Sequence, residues 1–147
     1  MIDIGAKRGA LVETTTNFKS GKTTLSFSRP GFRSYKALSK ELKRSYDSNW
    51  FVGDSVEDLI THELGHALNY QYAILKYEKD ALKYISFQDG VKFAQKGLSK
   101  YGTVDGTEGI AEAFAKYMKT GTVKGIVVEG KLSVEQLFKK WLGVTVK

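Results

Sequence analysis

His62-Glu63-Leu64-Gly65-His66 is the stretch whose reading decides the fold, and it holds both of the chain's histidines. An α-helix turns once every ~3.6 residues, so His62 and His66 leave the same face one turn apart. That spacing lets two imidazoles reach a single zinc ion at about 2.0–2.1 Å each. Glu63 stands beside them, able to act on a water at the metal without becoming a ligand. A pattern with so few fixed positions also arises by accident on surface helices that bind nothing. The absence of any further histidine and the helical character of the flanks favour the metal.

Those flanks are specific. Asp54 can cap a helix, and Glu57 completes a capping box with it. Val56, Leu59, Ile60, Leu64, Ala67 and Leu68 then recur at helical spacing, giving a core-facing stripe that could run to about Tyr77. Gly65 costs about 1 kcal/mol of helix propensity relative to alanine. Its presence points to the close approach of another backbone.

Working outward, the first third of the chain reads as sheet. Ala10–Thr16 and Lys22–Ser28 are rich in strand formers, and Asn17–Gly21 between them supplies the turn of a β-hairpin. Pro30-Gly31 breaks that pattern. Tyr35–Tyr46 has helical spacing through Leu38 and Leu42, with Asp47–Gly53 as loop. On the other side, Asp89–Leu98 predicts a helix, Tyr101–Thr107 a glycine-containing connector, and Thr107–Lys119 an amphipathic helix through Ile110, Ala111, Phe114, Ala115 and Met118. Ser133 with Gln136 forms a second capping box ahead of Leu137, Phe138 and Trp141, which predicts a short helix packing an aromatic face. No repeat or low-complexity linker divides residues 1–147, so one α+β domain is expected, either whole or a piece of a longer protein.

Composition narrows the class. A chain of 147 residues that is 41% hydrophobic and 27% charged can bury a core without disulfides, and it has no cysteine to ligate a metal. No apolar run approaches the roughly 20 residues of a membrane span, and the N-terminus has no signal-peptide core. The compartment stays open: cytoplasmic, virion-associated or secreted within a larger protein. The net charge of +7 raises the question of a nucleic-acid partner. The lysines are scattered from Lys7 to Lys147 without a dense run, so solvated faces explain them and no specific nucleic-acid binding is expected.

A catalytic zinc usually takes three protein ligands and keeps one position open. A third histidine six residues after His66 would mark a metzincin, but Tyr72 stands there. Glu78 is three turns from His66, too distant. Glu108 and Glu112 lie four apart, on one face of the predicted helix beside its apolar stripe. One could ligate and the other could orient a ligating histidine through its second ring nitrogen. Glu108 also completes a capping box with Asp105, Glu112 could be a solvated acid, and Tyr101 could be a partly buried aromatic.

His62-Glu63-Leu64-Gly65-His66, followed by Tyr101-Gly102, Glu108 and Ala111-Glu112-Ala113-Phe114, resembles the peptidase domain of anthrax lethal factor and its relatives. These include the secreted proline-proline endopeptidases and zincin-like domains of phage and mobile-element proteins. The resemblance covers roughly Asp54 to Met118, with Gly109-Ile110 standing where relatives often carry a bulky apolar pair. It implies a zincin-like fold, in which a small N-terminal β-sheet lies against the active-site helix and further helices follow. It also implies that His62, His66 and Glu108 bind zinc (Zn2+), that Glu63 is the general base, that Tyr101 bonds the developing oxyanion, and that Glu112 supports a histidine. The expected activity is zinc-dependent hydrolysis of a peptide or protein bound as an extended strand. The rival expectation is a non-catalytic zinc-binding accessory domain of a phage or mobile-element protein, to which a general base would be of no use.

Overall fold

The hairpin forms where the strand pattern places it. In the computed structural model, which describes residues 2–3, 11–17, 19–28, 33–76, 98–103, 106–123, 127–128 and 132–143, strands β2 (Val12–Asn17) and β3 (Lys22–Phe27) pair antiparallel with Thr14 opposite Leu25. Asn17 makes the turn. Its side-chain oxygen accepts from the amides of Lys19 and Ser20, and its carbonyl from Gly21, whose φ of 71° suits glycine. Strand β1 (Ile2–Asp3) adds parallel to β3, so among the described residues the sheet order is β1-β3-β2, with β2 at one edge.

Helix α1 (Tyr35–Asp47) starts on Ser34, whose hydroxyl accepts from the Ala37 amide, and buries Leu38 and Leu42. Helix α2 (Val56–Lys76) carries the two histidines. Its cap departs from expectation by one residue. Ser55 Oγ accepts from the Asp58 amide, while Asp58 Oδ2 accepts from the amides of Ser55 and Asp54. Thus Ser55 and Asp58 form the reciprocal pair expected of Asp54 and Glu57. The reason is visible in what Asp54 does instead: its carboxylate, with that of Asp58, takes the Lys119 ammonium.

A 3-10 turn (Tyr101–Thr103) leads towards α3 (Gly106–Thr120), which starts one residue earlier and ends one later than its apolar pattern indicated. Strands β4 (Val127–Val128) and β5 (Leu132–Ser133) pair antiparallel, and α4 (Val134–Trp141) follows at once. Ser133 and Gln136 make the anticipated capping box. Phe138 and Trp141 pack on Phe114 of α3, the aromatic docking expected of the tail. Of the predicted helix Asp89–Leu98 only Leu98 is described, and it is buried but not helical. The rest of that helix, the Pro30-Gly31 break, the end of α2 beyond Lys76, and Asp105 lie outside the described residues, as does Glu78. Among the described residues, no helix is long and apolar enough to cross a membrane.

Helix α2 joins two apolar clusters. Its first turns put Val56 and Leu59 with Val12, Leu38, Leu42 and Phe51. Its later turns put Leu68 against Ile110, Phe114, Leu137 and Phe138. His62 and His66 fall between, where the helix passes from one cluster to the other. Leu64 departs from the predicted stripe and is exposed, because the face it occupies turns away from both clusters. Gly65 lies hard against α3. A Cβ there would lie 3.1 Å from the Ala111 Cα and 3.1 Å from the Phe114 Cβ, tighter than ordinary contact. The missing side chain thus sets the separation of α2 from the helix that carries both candidate glutamates.

Candidate metal centre

His62, Glu63 and His66 form a buried group that could hold a metal ion, their potential ligand atoms all within 4.8 Å of one another. Burial follows from position. The α2 face between the clusters is covered by α3, by the Tyr101 turn and by β2, leaving His62 1% and His66 6% exposed.

Glu108, from the first turn of α3, completes the arrangement. Its Oε2 lies 3.0 Å from His62 Nε2 and 3.1 Å from His66 Nε2, and those two nitrogens are 3.1 Å apart. Three corners of a tetrahedron with bonds of about 2.0–2.1 Å lie about 3.3–3.4 Å apart, so this near-equilateral triangle fits one ion with little adjustment. Glu63 is the other carboxylate near the nitrogens, but its Oε2 accepts a 2.6 Å hydrogen bond from Thr14. The two carboxylates therefore divide: Glu108 faces both ring nitrogens, and Glu63 stands to one side. Ile110 is fully buried in the core just beyond Glu108, so the helix turn holding this carboxylate is anchored despite Gly109.

Glu112 supports the cluster from beneath. Its Oε1 is 2.8 Å from His62 Nδ1, and its Oε2 accepts from the Val52 amide at 2.9 Å and from the Ser99 hydroxyl. No part of Glu112 is exposed. A carboxylate at Nδ1 favours the tautomer that turns the Nε2 lone pair towards Glu108 and His66, as a ligating histidine requires. The sequence left open whether Glu108 or Glu112 faces the metal; the geometry puts Glu108 at the nitrogens and Glu112 behind. His66 Nδ1, by contrast, is buried with no hydrogen-bond partner among the described residues.

Charge in the cluster responds accordingly. Burial works to lower the His62 pKa, but hydrogen bonds and charge from Glu108 and Glu112 outweigh it and raise the value to about 9. Burial pushes the Glu108 carboxyl up, whereas both imidazoles hold it well below the usual carboxylate range. The triangle therefore favours a positive charge at its centre, and a metal ion would take the place of the proton on His62.

Tyr101 reaches the same point from the 3-10 turn. Backbone bonds from Lys100 to Asn49 and from Tyr101 to Trp50 fix the turn against the segment preceding α2. The Tyr101 ring stacks on His62 at 5.6 Å and on Trp50 at 5.8 Å, which brings its phenol beside the glutamates of the cluster. Burial raises the phenol above its ordinary pKa, and the negative charges of Glu108, Glu63 and Glu112 add to the rise. It is therefore a proton-bearing donor at neutral pH. Gly102 lies behind it with its amide bonded to Ser99 Oγ, and a Cβ there would approach Ser99 Oγ to 3.3 Å and Glu112 Cγ to 3.4 Å. Val12, Glu13 and Thr14 of β2 close one side of a cleft of ≈ 260 Å³ that Glu63, His66, Tyr101 and Glu108 also line.

All six residues singled out in the sequence thus come together. Thr14, Ser99 and the Val52 amide were not foreseen. Thr14 sits in a run of threonines that reads only as strand, and Ser99 and Val52 act through positions no motif marks.

Glu112→Ala is expected to lower metal affinity by about 10–100-fold, as loss of an outer partner does. It should also destabilise the fold by about 1–3 kcal/mol through the stranded Ser99 hydroxyl and Val52 amide. Divalent-cation titration and thermal unfolding would measure the two effects. Unaltered affinity would show that packing alone orients His62.

A scan against protein-family models and searches of curated proteins and of solved structures found no match to this chain.

Proposed function

We propose that the chain is a zinc-dependent metalloendopeptidase with a zincin-like arrangement of sheet, active-site helix and supporting helices. The observation that carries this reading is the division of the carboxylates. Glu108 meets both imidazole nitrogens, while Glu63 remains beside them, lining the cleft. A purely structural ion would need the first carboxylate and not the second.

His62, His66 and Glu108 are the proposed zinc ligands, and their two nitrogens and one oxygen suit zinc chemically. Zinc bound there supplies Lewis acidity towards a peptide carbonyl and lowers the pKa of water towards about 7. Glu63 takes a proton from the attacking water on its carboxylate as the water oxygen joins the carbonyl carbon. It then returns that proton to the amine nitrogen as the C–N bond breaks. The Tyr101 hydroxyl donates to the oxygen on which negative charge develops, and its high pKa keeps that proton in place. The substrate lies along the outer edge of β2, where main-chain groups can take an added strand.

A library of unstructured peptides tests the proposal. The purified protein should cleave some members, lose that activity to a chelator and regain it with zinc. In the same assay Tyr101→Phe should keep its zinc and its KM while kcat falls by about 10²–10³-fold, the usual cost of one oxyanion donor. An unaltered kcat would confine Tyr101 to packing on His62. Metal-independent cleavage would contradict the proposal.

A further inference from the structure

The edge strand does more than border the cleft. Thr14 Oγ1 donates to Glu63 Oε2 at 2.6 Å and lies 3.3 Å from the Glu63 carbonyl oxygen. Among the described residues it is the one hydrogen-bond donor to that carboxylate. A glutamate has a soft terminal torsion, so an untethered carboxylate samples many orientations. A bond to the ionised group is short and strong, which restricts that freedom.

The strand carrying Thr14 is itself fixed to α2. Gln71 Nε2, two helical turns beyond Glu63, donates to the Gly21 carbonyl at 3.0 Å and to Thr23 Oγ1 at 2.8 Å. Thr23 in turn bonds Thr16 across the hairpin at 2.8 Å. The hairpin is therefore held to the helix at two points, and Thr14 is set opposite Glu63 by register. Its side chain shares a sheet face with buried Val12, which packs into the cluster formed with α2.

We infer that Thr14 is a positioning residue for Glu63: its hydroxyl occupies Oε2 and leaves Oε1 as the oxygen presented to water and substrate in the cleft. This rests on the peptidase reading, and it extends that reading to the strand. A peptide added along β2 would pair with the same strand that holds the base. Substrate binding and base alignment then depend on one element.

Thr14→Val removes the hydroxyl while keeping the shape and a strand-favouring branched side chain. Thr14→Ser keeps the hydroxyl. With zinc content confirmed equal, Thr14→Val should lower kcat by about tenfold or more, equivalent to ~1.4 kcal/mol, and leave KM unaltered. Thr14→Ser should restore most of the loss. A second readout needs no turnover: the ¹³Cδ resonance of Glu63 in the zinc-loaded, substrate-free protein should move in Thr14→Val and return in Thr14→Ser. A normal kcat in Thr14→Val overturns the proposal, as does equal impairment of Thr14→Ser or an effect confined to KM. If the wild type cleaves nothing, the peptidase reading fails and takes this assignment with it. If the wild type is active and Thr14→Val is normal, this assignment fails alone.

Discussion

Glu63→Ala is expected to lower kcat by about 10²–10⁴-fold, the range for loss of a positioned general base, while the protein still folds and still binds one zinc ion. The reasoning begins with the two oxygens of Glu63. One accepts from Thr14, and the side chain borders the cleft that His66, Tyr101 and Glu108 also line. Neither histidine bond nor the Glu112 support passes through Glu63. Removing it should therefore leave the metal ligands in place. The stability cost should be about 1 kcal/mol, from a Thr14 hydroxyl deprived of its acceptor. Zinc content, circular dichroism and peptide turnover measured on one preparation would check all three parts. Loss of zinc in this variant would make Glu63 the third ligand, since its carboxylate lies within 4.8 Å of the ligand nitrogens of both histidines. Retained turnover would remove the base and favour a non-catalytic zinc domain.

Glu108→Ala is expected to lose the metal. Its Oε2 is the corner shared by both 3.0–3.1 Å contacts to the imidazoles, and no other described carboxylate approaches both so closely. Zinc affinity should fall by well over the 10–100-fold that an outer partner costs, and cleavage should fall with it. Glu112 keeps its hold on His62 Nδ1 in this variant, so the helix pair should remain folded. Zinc titration of the variant beside the wild type measures the loss. Wild-type affinity would require a different third ligand.

The site was more legible than the fold around it. His62, Glu63 and His66 could be placed together because a helix fixes their geometry within one turn. Glu108 and Glu112 were found as a pair for the same reason. Their division of labour was not readable, because residues four apart differ in role only through what each meets across the helix interface. Glu112 meets His62 from behind because Ala111 passes close to Gly65, a relation between two helices that neither sequence states alone. The hairpin was legible from its strand formers and Asn17. That β2 rather than β3 lines the cleft depends on how the hairpin packs against α2, with Thr14 bonded to Glu63, a contact between residues far apart in sequence that leaves no pattern. The one-residue shift of the α2 cap shows a similar limit. Asp54 and Ser55 are both good caps, and Lys119, far along the chain, takes up the Asp54 carboxylate while Ser55 caps the helix.

The central claim is that His62, His66 and Glu108 enclose a zinc ion, and the most direct test is the metal content of the wild-type protein purified under limiting free metal. Elemental analysis is expected to find one zinc per chain. No bound zinc, with none taken up on titration at micromolar concentration, would contradict the account and reduce the triangle to a buried histidine-carboxylate network.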